Sequence, residues 1–341
     1  MAENHPEILV FGGKGGVGKS TVSVATAVLL ARMNPDKKIF VISFDIAHNL
    51  SDLFDMEVGD KITQVLPNLW AMEPDADRYT EEFVKNFVEK AKELAYEMPL
   101  VKRLTNIDAY IEESFSAASI PLAVKNSIFF DQILATEHDY DVFIIDMPPT
   151  GNMVSIFEVP KTTLQVFLKS TLETMDNVMK FIGSLRRLNP LNWFRPGDVQ
   201  KRRNQASELL GMLKELDRRN DRIMSLLRNN SSLRFVTIAE RPSFEEIRRA
   251  NDLVKKYITL DGIIINKINP EGLDCAFCQK ESVYQKKYIG LIEDYFKDKK
   301  IWHVCRMDDE VIGLQKLEEF ADDLYNSDSF DSIIHPEMPS T

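Results

Sequence analysis

The sequence predicts an α/β fold in which helices flank a mainly parallel β-sheet and a helical subdomain is inserted into the chain. Three observations support this prediction: short apolar runs alternate with helical patterns, a glycine-rich turn follows the first run, and two long stretches lack strand signals. The chain has 341 residues, which is enough for one large α/β domain with an insertion or for two domains.

The predicted strands are short apolar runs that are rich in β-branched and aromatic residues. Most of these runs do not alternate between apolar and polar residues, which is typical of strands buried on both faces of a parallel sheet. Helical patterns separate them, for example after Lys19 and over residues 247–257. The predicted strands cover residues 8–11, 39–43, 142–145, 235–239, 262–265 and 301–304.

Two long stretches of the sequence offer no convincing strand. In the second, apolar residues recur at spacings of three and four from Leu164 to Ile182, which indicates amphipathic helices. From Glu318 onward there are seven acidic residues and no Lys or Arg, so we expect a frayed acidic tail. The predicted bounds are 1–75, 137–155 and 234–325 for the sheet domain, 76–136 and 156–233 for the helical subdomain, and 326–341 for the tail.

The composition is that of a globular chain, with 44% hydrophobic and 28% charged residues. There are 42 Lys and Arg against 53 Asp and Glu, and this net charge of −11 argues against a partner that is nucleic acid. Residues 186–234 hold twelve basic and five acidic residues, which a solvated helical face explains most simply. No apolar run has the roughly 18 residues of a membrane span and no signal peptide is visible, so we expect a cytoplasmic protein.

A glycine-rich segment between the first predicted strand and the first predicted helix fits the phosphate-loop pattern G-x-x-x-x-G-K-[ST]. Its glycines let backbone N–H groups approach phosphate oxygens, Lys19 has the reach to contact the β- and γ-phosphates, and the hydroxyl of Ser20 suits Mg²⁺. The alternative is a glycine-rich turn without a ligand. The predicted ATP-binding residues here are Gly12, Gly13, Lys14, Gly15, Gly16, Val17, Gly18, Lys19, Ser20 and Thr21.

Two aspartates that follow predicted strands are candidates for the same site. Asp45 comes after the second strand, where a carboxylate could orient water, hold Mg²⁺ or simply cap a helix. Asp146 ends the run Val-Phe-Ile-Ile-Asp, and an acid in this position lies near Mg²⁺ in phosphate-loop NTPases. That pattern is weak by itself, but together with the glycine-rich segment it predicts the second half of one site.

The strings KGGVGKS, DIAHNLSD and DMPPTGN resemble the deviant Walker A motif and the two switches of the ArsA-type ATPases, which include arsenite-pump subunits and targeting ATPases for tail-anchored membrane proteins. The resemblance implies a P-loop NTPase in which Lys14 reaches the nucleotide of a partner subunit, and hence a homodimer. It further implies that Lys14, Lys19 and Asp45 are catalytic, with Asp45 acting on the attacking water. Ser20 and Asp146 would hold Mg²⁺. Three residues depart from the family's switches: Ile46, Met147 and Asn152.

Two further strand ends resemble segments of the same family. The run Phe-Val-Thr-Ile-Ala-Glu ends in Glu240, which the resemblance places near the ribose of ATP. The run Ile-Ile-Ile-Asn ends in Asn266, which it assigns to the adenine base. The amide of Asn266 suits this role because it offers both a donor and an acceptor. Without the resemblance, Asn266 is a turn or cap residue.

Cysteine occurs three times, and Cys275 and Cys278 form one C-x-x-C pair. A tetrahedral zinc site needs four ligands, so the pair is a redox pair, an incidental pair or half of a site that a second subunit completes. The resemblance favours the third interpretation, because in the targeting ATPases a C-x-x-C followed by a segment like Gln285–Tyr288 binds one Zn²⁺ between two subunits. Cys305 is interpreted as a packed thiol.

The first functional hypothesis is a homodimeric ATPase that uses ATP, Mg²⁺ and Zn²⁺, binds the transmembrane segment of tail-anchored proteins and delivers it to a membrane receptor. An arsenite-pump subunit is a weaker alternative, because no cysteine precedes Cys275 and the chain has one ATPase unit. An ATPase that positions membranes or DNA is another, although the C-terminal end is acidic rather than basic.

The client-binding role assigned to the helical subdomain requires adaptable apolar side chains. Methionines suit such a groove, although for each of them a place in the core is the simpler interpretation. The candidates are Met153, Met175, Met179, Met212 and Met224.

Overall fold

In the computed structural model, the chain divides into two compact units. The first comprises Met1–Pro74, Ala135–Phe157 and Met224–Thr341, and the second comprises Asp75–Leu134 and Glu158–Ile223. The structure describes residues 5–45, 49–96, 108–109, 112, 130–157, 211, 214–215, 218–219, 221–270 and 275–337.

The described residues of the first unit form one sheet. Its strands are β1 (Glu7–Gly13), β2 (Ile39–Ser43), β3 (Thr63–Leu66), β4 (Leu69–Met72), β5 (Val142–Asp146), β6 (Ser231–Ile238), β7 (Thr259–Ile268) and β8 (Lys300–Cys305). Their order across the sheet is β3-β4-β2-β5-β1-β6-β7-β8. Every neighbouring pair is parallel except β3 and β4. The predicted α/β fold with a mainly parallel sheet is therefore confirmed.

The strands alternate with helices along the chain, as the sequence pattern predicts. With bounds, these are α1 (Lys19–Met33), α2 (Leu50–Phe54), α3 (Ala76–Tyr96), α4 (Thr150–Phe157), α5 (Arg241–Val254), α6 (Ala276–Tyr295), α7 (Gly313–Tyr325) and α8 (Phe330–Ile334). Within the described ranges, none of them combines the length and the apolarity that a membrane span requires.

The core of the first unit lies on both faces of the sheet. All residues of β2 and β5 are buried, which explains why these strands are apolar without alternation. Helix α1 is apolar on nearly all sides and is buried almost along its whole length, because it packs between the sheet and α7. The hydroxyls of Thr26 and Tyr325 share a buried hydrogen bond of 2.8 Å between these two helices.

The strands β3 and β4 were not among the predicted strands. Each has only four residues, and β3 is the edge strand of the sheet, with no fully buried residue. Short edge strands carry a weak apolar pattern because only one neighbour and part of one face cover them.

The expectation of a frayed C-terminal tail is wrong for part of the segment 326–341. Helix α8 lies there, and its residues Ile333 and Ile334 belong to the hydrophobic core. The guanidinium of Arg234, itself fully buried, donates hydrogen bonds to the backbone carbonyls of both isoleucines. Burial of two large apolar side chains and satisfaction of two carbonyls outweigh the repulsion within the acidic run.

The second unit is helical where it is described. Helix α3 is strongly amphipathic, and residues 130–134 are helical too. An ion pair of 3.1 Å joins Asp131 to Arg219, so the two stretches that the sequence predicts to form one subdomain are in contact within this unit. Its role in binding clients stays a prediction, since most of residues 158–220 lies outside the described part, including Met175, Met179 and Met212.

Candidate active site and cysteine pair

The glycine-rich segment joins the end of β1 to the start of α1, which is the strand-turn-helix context that a phosphate loop needs. Gly18 is the N-cap of α1 with φ of +92°, and a Cβ there would lie 2.4 Å from Nδ2 of Asn266. A Cβ on Gly13 would lie 2.2 Å from the backbone oxygen of Val236. The sequence therefore needs glycine at both positions because other parts of the sheet press against the loop.

Lys19 and Asp45 are both brought to this loop and form an ion pair. The distance from Nζ of Lys19 to Oδ2 of Asp45 is 3.1 Å, and Lys19 is almost completely buried. Asp45 follows β2, two residues beyond Ser43, at the same sheet end as the loop. Each charge of the pair offsets the other where little water reaches them. A phosphate group that enters the loop would compete with Asp45 for the ammonium of Lys19.

Asp146 ends β5 and is fully buried beside the same loop. Its Oδ2 accepts hydrogen bonds from the hydroxyls of Ser20, at 2.7 Å, and Ser43, at 3.0 Å. Its Oδ1 is buried and has no hydrogen-bond partner among the described residues. Burial raises the pKa of Asp146 to about 6, although the ammonium of Lys19 and the two hydroxyls oppose the rise.

These oxygens fit a magnesium ion. Mg²⁺ prefers hard oxygen ligands and commonly takes only one or two from the protein. The unpartnered carboxylate oxygen of Asp146 and the hydroxyl of Ser20 supply such a set, and a divalent cation would remove the unfavourable burial of a single negative charge.

Of the other residues predicted to bind the nucleotide, Asn266 contacts the phosphate loop, whereas Glu240 and Lys14 make no such contact among the described residues. Asn266 is buried at the end of β7, and its Nδ2 donates to the carbonyl of Val17 at 2.9 Å, so its amide holds the loop. Glu240 is exposed at the N-cap of α5. Lys14 is half-buried, and the described residues offer its ammonium no hydrogen bond or ion pair. The assigned roles of these three residues stay predictions.

Of the three residues that differ from the family's switch motifs, the structure describes Met147 and Asn152. Ile46 lies outside the described residues, as do Ala47 and His48. Met147 is fully buried after β5, whereas Asn152 is exposed on α4.

Met153 is not an exposed groove residue. It is fully buried in the first unit, and its sulfur would lie 2.5 Å from a Cβ on Gly12. The side chain thus packs under the phosphate loop, in agreement with the simpler interpretation of the methionines as core residues. Met224 is half-buried and is the first residue of the third segment of the first unit, Met224–Thr341.

Cys275 and Cys278 stand at the N-terminus of α6. Cys275 is the N-cap, and its sulfur accepts a hydrogen bond of 3.4 Å from the backbone N–H of Cys278. This N–H, followed by the Cys278 thiol, lowers the pKa of Cys275, and Cys275 itself is exposed. Within the described ranges, no three His, Cys, Asp or Glu side chains come together as a metal site, so the described residues around the pair add no further ligand to its two sulfur atoms.

The interpretation of Cys305 as a packed thiol is wrong, because this residue is exposed. It lies at the end of β8, the edge strand, where Trp302 and Val304 point into the core and His303 and Cys305 point outward. Successive side chains of a strand point to opposite faces, so Cys305 lies on the exposed face although its neighbour Val304 is buried.

Three residues of this region make contacts that sequence reasoning did not predict: Ser43, Lys267 and Gln285. Ser43 binds the carboxylate of Asp146, and Lys267 donates to the carbonyl of Gly16 at 2.9 Å. Gln285 is a buried polar residue in the middle of α6. Its spacing of three and seven from the buried Tyr288 and Ile292 is a signal that a polar residue occupies an apolar helix face.

Comparison with known proteins places this geometry in a family. Residues 6–326 match the anion-transporting ATPases, ArsA_ATPase. A putative arsenical pump-driving ATPase 1 of Aquifex aeolicus is 29% identical over 97% of the chain and 82% of its own length. An ATPase ASNA1 homolog of Entamoeba histolytica is 27% identical over 91% of both proteins, and an ATPase GET3 of Komagataella phaffii is 28% identical over 97% of the chain and 94% of its own length.

Proposed function

The chain belongs to the anion-transporting ATPase family, and we propose that it acts as a homodimer that binds the transmembrane segment of tail-anchored proteins in the cytosol and delivers it to a membrane receptor. ATP hydrolysis is the activity of this family. The observation that carries the proposal is that Cys275, which is exposed, and Cys278, which is half-buried, lie together at the N-terminus of α6 on the ATPase unit. Two sulfur ligands from each of two chains would make the four that a tetrahedral zinc site needs.

The proposed catalytic cycle starts from the ion pair between Lys19 and Asp45. Backbone N–H groups of the loop and the N-terminus of α1 bind the phosphates, and Lys19 moves its contact from Asp45 to the β- and γ-phosphates. Asp45 is then available to orient the attacking water and to accept its proton. Ser20 and Asp146 would hold Mg²⁺, which would supply positive charge to offset the negative charge of the phosphates.

One zinc ion, shared by two subunits, would hold the proposed dimer together. Each chain contributes the two sulfurs of Cys275 and Cys278, and the lowered pKa of Cys275 favours the thiolate that a metal binds. Lys14, whose ammonium is unpaired among the described residues, extends to the nucleotide of the partner subunit. ATP-dependent closing and hydrolysis-dependent opening of this dimer drive capture and release of the client.

The second unit is the proposed site for the client. Its helix α3 has an apolar and a polar face, as a groove for an apolar helix requires. The alternative is an arsenite pump, and it is favoured by relatives that are named as putative arsenical pump-driving ATPases. It needs soft ligands, however, and the sequence has no cysteine before Cys275.

Coexpression with a tail-anchored client tests the proposal. The matched control is the same client with its apolar segment replaced by a polar segment of equal length. We expect the intact client to copurify with the protein and the polar control to be absent. Equal recovery of both clients, or of neither, together with stimulation of ATP hydrolysis by arsenite, would establish the pump instead.

A further inference from the structure

Two consecutive residues at the end of β7 hold the phosphate loop by its carbonyls. Nδ2 of Asn266 donates to the oxygen of Val17, and Nζ of Lys267 donates to the oxygen of Gly16, each at 2.9 Å. Lys267 has φ of +56°, a left-handed conformation that is uncommon for a residue with a side chain. The backbone therefore bends sharply at the residue that reaches back to the loop.

Gln285 holds this bend from the other side. Its Nε2 donates to the carbonyl of Lys267 at 3.2 Å, and its Oε1 accepts from the backbone N–H of Asn269 at 2.9 Å. The side chain is buried, so an apolar replacement would leave a backbone donor and a backbone acceptor without these partners. The side-chain amide of Gln285 thus holds the backbone at Lys267 and Asn269, and Lys267 in turn holds the phosphate loop.

The helix that carries Gln285 also carries the cysteine pair. Cys275 is the N-cap of α6, and Gln285 follows ten residues later, about 15 Å along the helix at 1.5 Å per residue. A rotation or shift of α6 at its cysteine end would therefore move Gln285 as well, because a helix transmits displacement as a rigid element.

We propose that Gln285 is a positioning residue for nucleotide binding, and that it couples the cysteine end of α6 to the phosphate loop. The coupling half rests on the proposed function, since it requires Cys275 and Cys278 to bind a metal. Coupling between two ligands is reciprocal, so Zn²⁺ and nucleotide change each other's affinity by the same factor.

The first test measures the affinity for a fluorescent ATP analogue without added metal. Gln285→Leu removes both hydrogen bonds, and we expect roughly tenfold weaker binding with a kcat close to wild type, because Asp45 and Lys19 are untouched. Gln285→Glu keeps the acceptor for Asn269 and should lose less. Lys280→Ala, on the exposed surface of the same helix, is the control and should bind like wild type.

Wild-type affinity in a folded Gln285→Leu protein, or a fall in kcat alone, overturns the positioning role. Melting curves identify folded variants, and if Gln285→Leu does not fold, Gln285→Glu decides between the same outcomes.

The second test titrates Zn²⁺ with and without the ATP analogue. We expect a several-fold shift in the affinity for Zn²⁺ in the wild type and none in Gln285→Leu. An equal shift in both proteins, or none in the wild type, overturns the coupling. If the wild type binds no Zn²⁺, the shared site of the proposed function fails together with the coupling, whereas the positioning role is decided by the first test alone.

Discussion

The phosphate loop and the cysteine end of α6 differ in how far one chain completes them. At the loop, Lys19, Asp146 and Asn266 are buried, and each makes hydrogen bonds or ion pairs to groups of the same chain. At the cysteine end, Cys275 is exposed and Phe277 is 74% exposed. The polar side chains at the loop thus find their partners within one chain, whereas the cysteine pair supplies two sulfur atoms and a tetrahedral zinc site would need four ligands.

The largest expected effect is on hydrolysis. Asp45→Asn should bind ATP but hydrolyse it about 10²–10⁴-fold more slowly, because an amide cannot accept the proton of the attacking water. Phosphate release gives kcat, and equilibrium binding gives the affinity for ATP. Asp55→Asn, at the exposed C-cap of α2 and outside the switch segment, is the control and should keep wild-type turnover. Normal turnover of Asp45→Asn would remove Asp45 from the catalytic role.

Substitutions in the two regions should also differ in their effect on the stability of the fold. Gly13→Ala places a Cβ 2.2 Å from the oxygen of Val236 and should lower the free energy of unfolding by about 1–3 kcal/mol. A Cβ on Gly15 would lie 3.8 Å from its nearest neighbour, Cγ of Pro149. Gly15→Ala should therefore change the free energy of unfolding by less than about 0.5 kcal/mol. Phe277→Ala at the cysteine end should be similarly neutral in the monomer. Denaturant unfolding compares the three, and equal losses would contradict the packing described for the loop.

The fold was largely predictable because the buried strands are continuous apolar runs and the phosphate loop has a fixed pattern. The same logic failed at β3 and β4, because strands of four residues leave little signal, and at α8, where Ile333 and Ile334 stand within an acidic run. The candidate site was predictable as a set of residue types at strand ends. That Lys19 pairs with Asp45, or that Lys267 reaches Gly16, follows from contacts between distant segments, which no local pattern encodes.

The smallest expected effect is that of pH on magnesium binding. Asp146 has a pKa raised to about 6 by burial, so a proton competes with Mg²⁺ below that pH. The apparent affinity for Mg²⁺ with ATP should be about fourfold lower at pH 5.5 than at pH 7.5, from the ionised fraction of the carboxyl. Because the folded state holds this proton more tightly than the unfolded chain, the stability that Asp146 contributes is lost as the pH rises through about 6.

Ser43→Ala provides the check on this pH effect. The hydroxyl of Ser43 favours the ionised carboxylate, so its removal should move the midpoint of the pH dependence upward. A magnesium titration at several pH values gives the midpoint. A midpoint that stays in place or moves down would show that Asp146 does not control it.

The contrast between a site completed by one chain and a site completed by two is tested most directly by native mass spectrometry, which counts chains and zinc ions in the same particle. The wild type should appear as two chains with one zinc ion, and Cys305→Ser should behave identically. Cys275→Ser and Cys278→Ser should lose the metal. One zinc ion bound to a single chain, or zinc retained after both cysteines of the pair are replaced, would contradict the shared site.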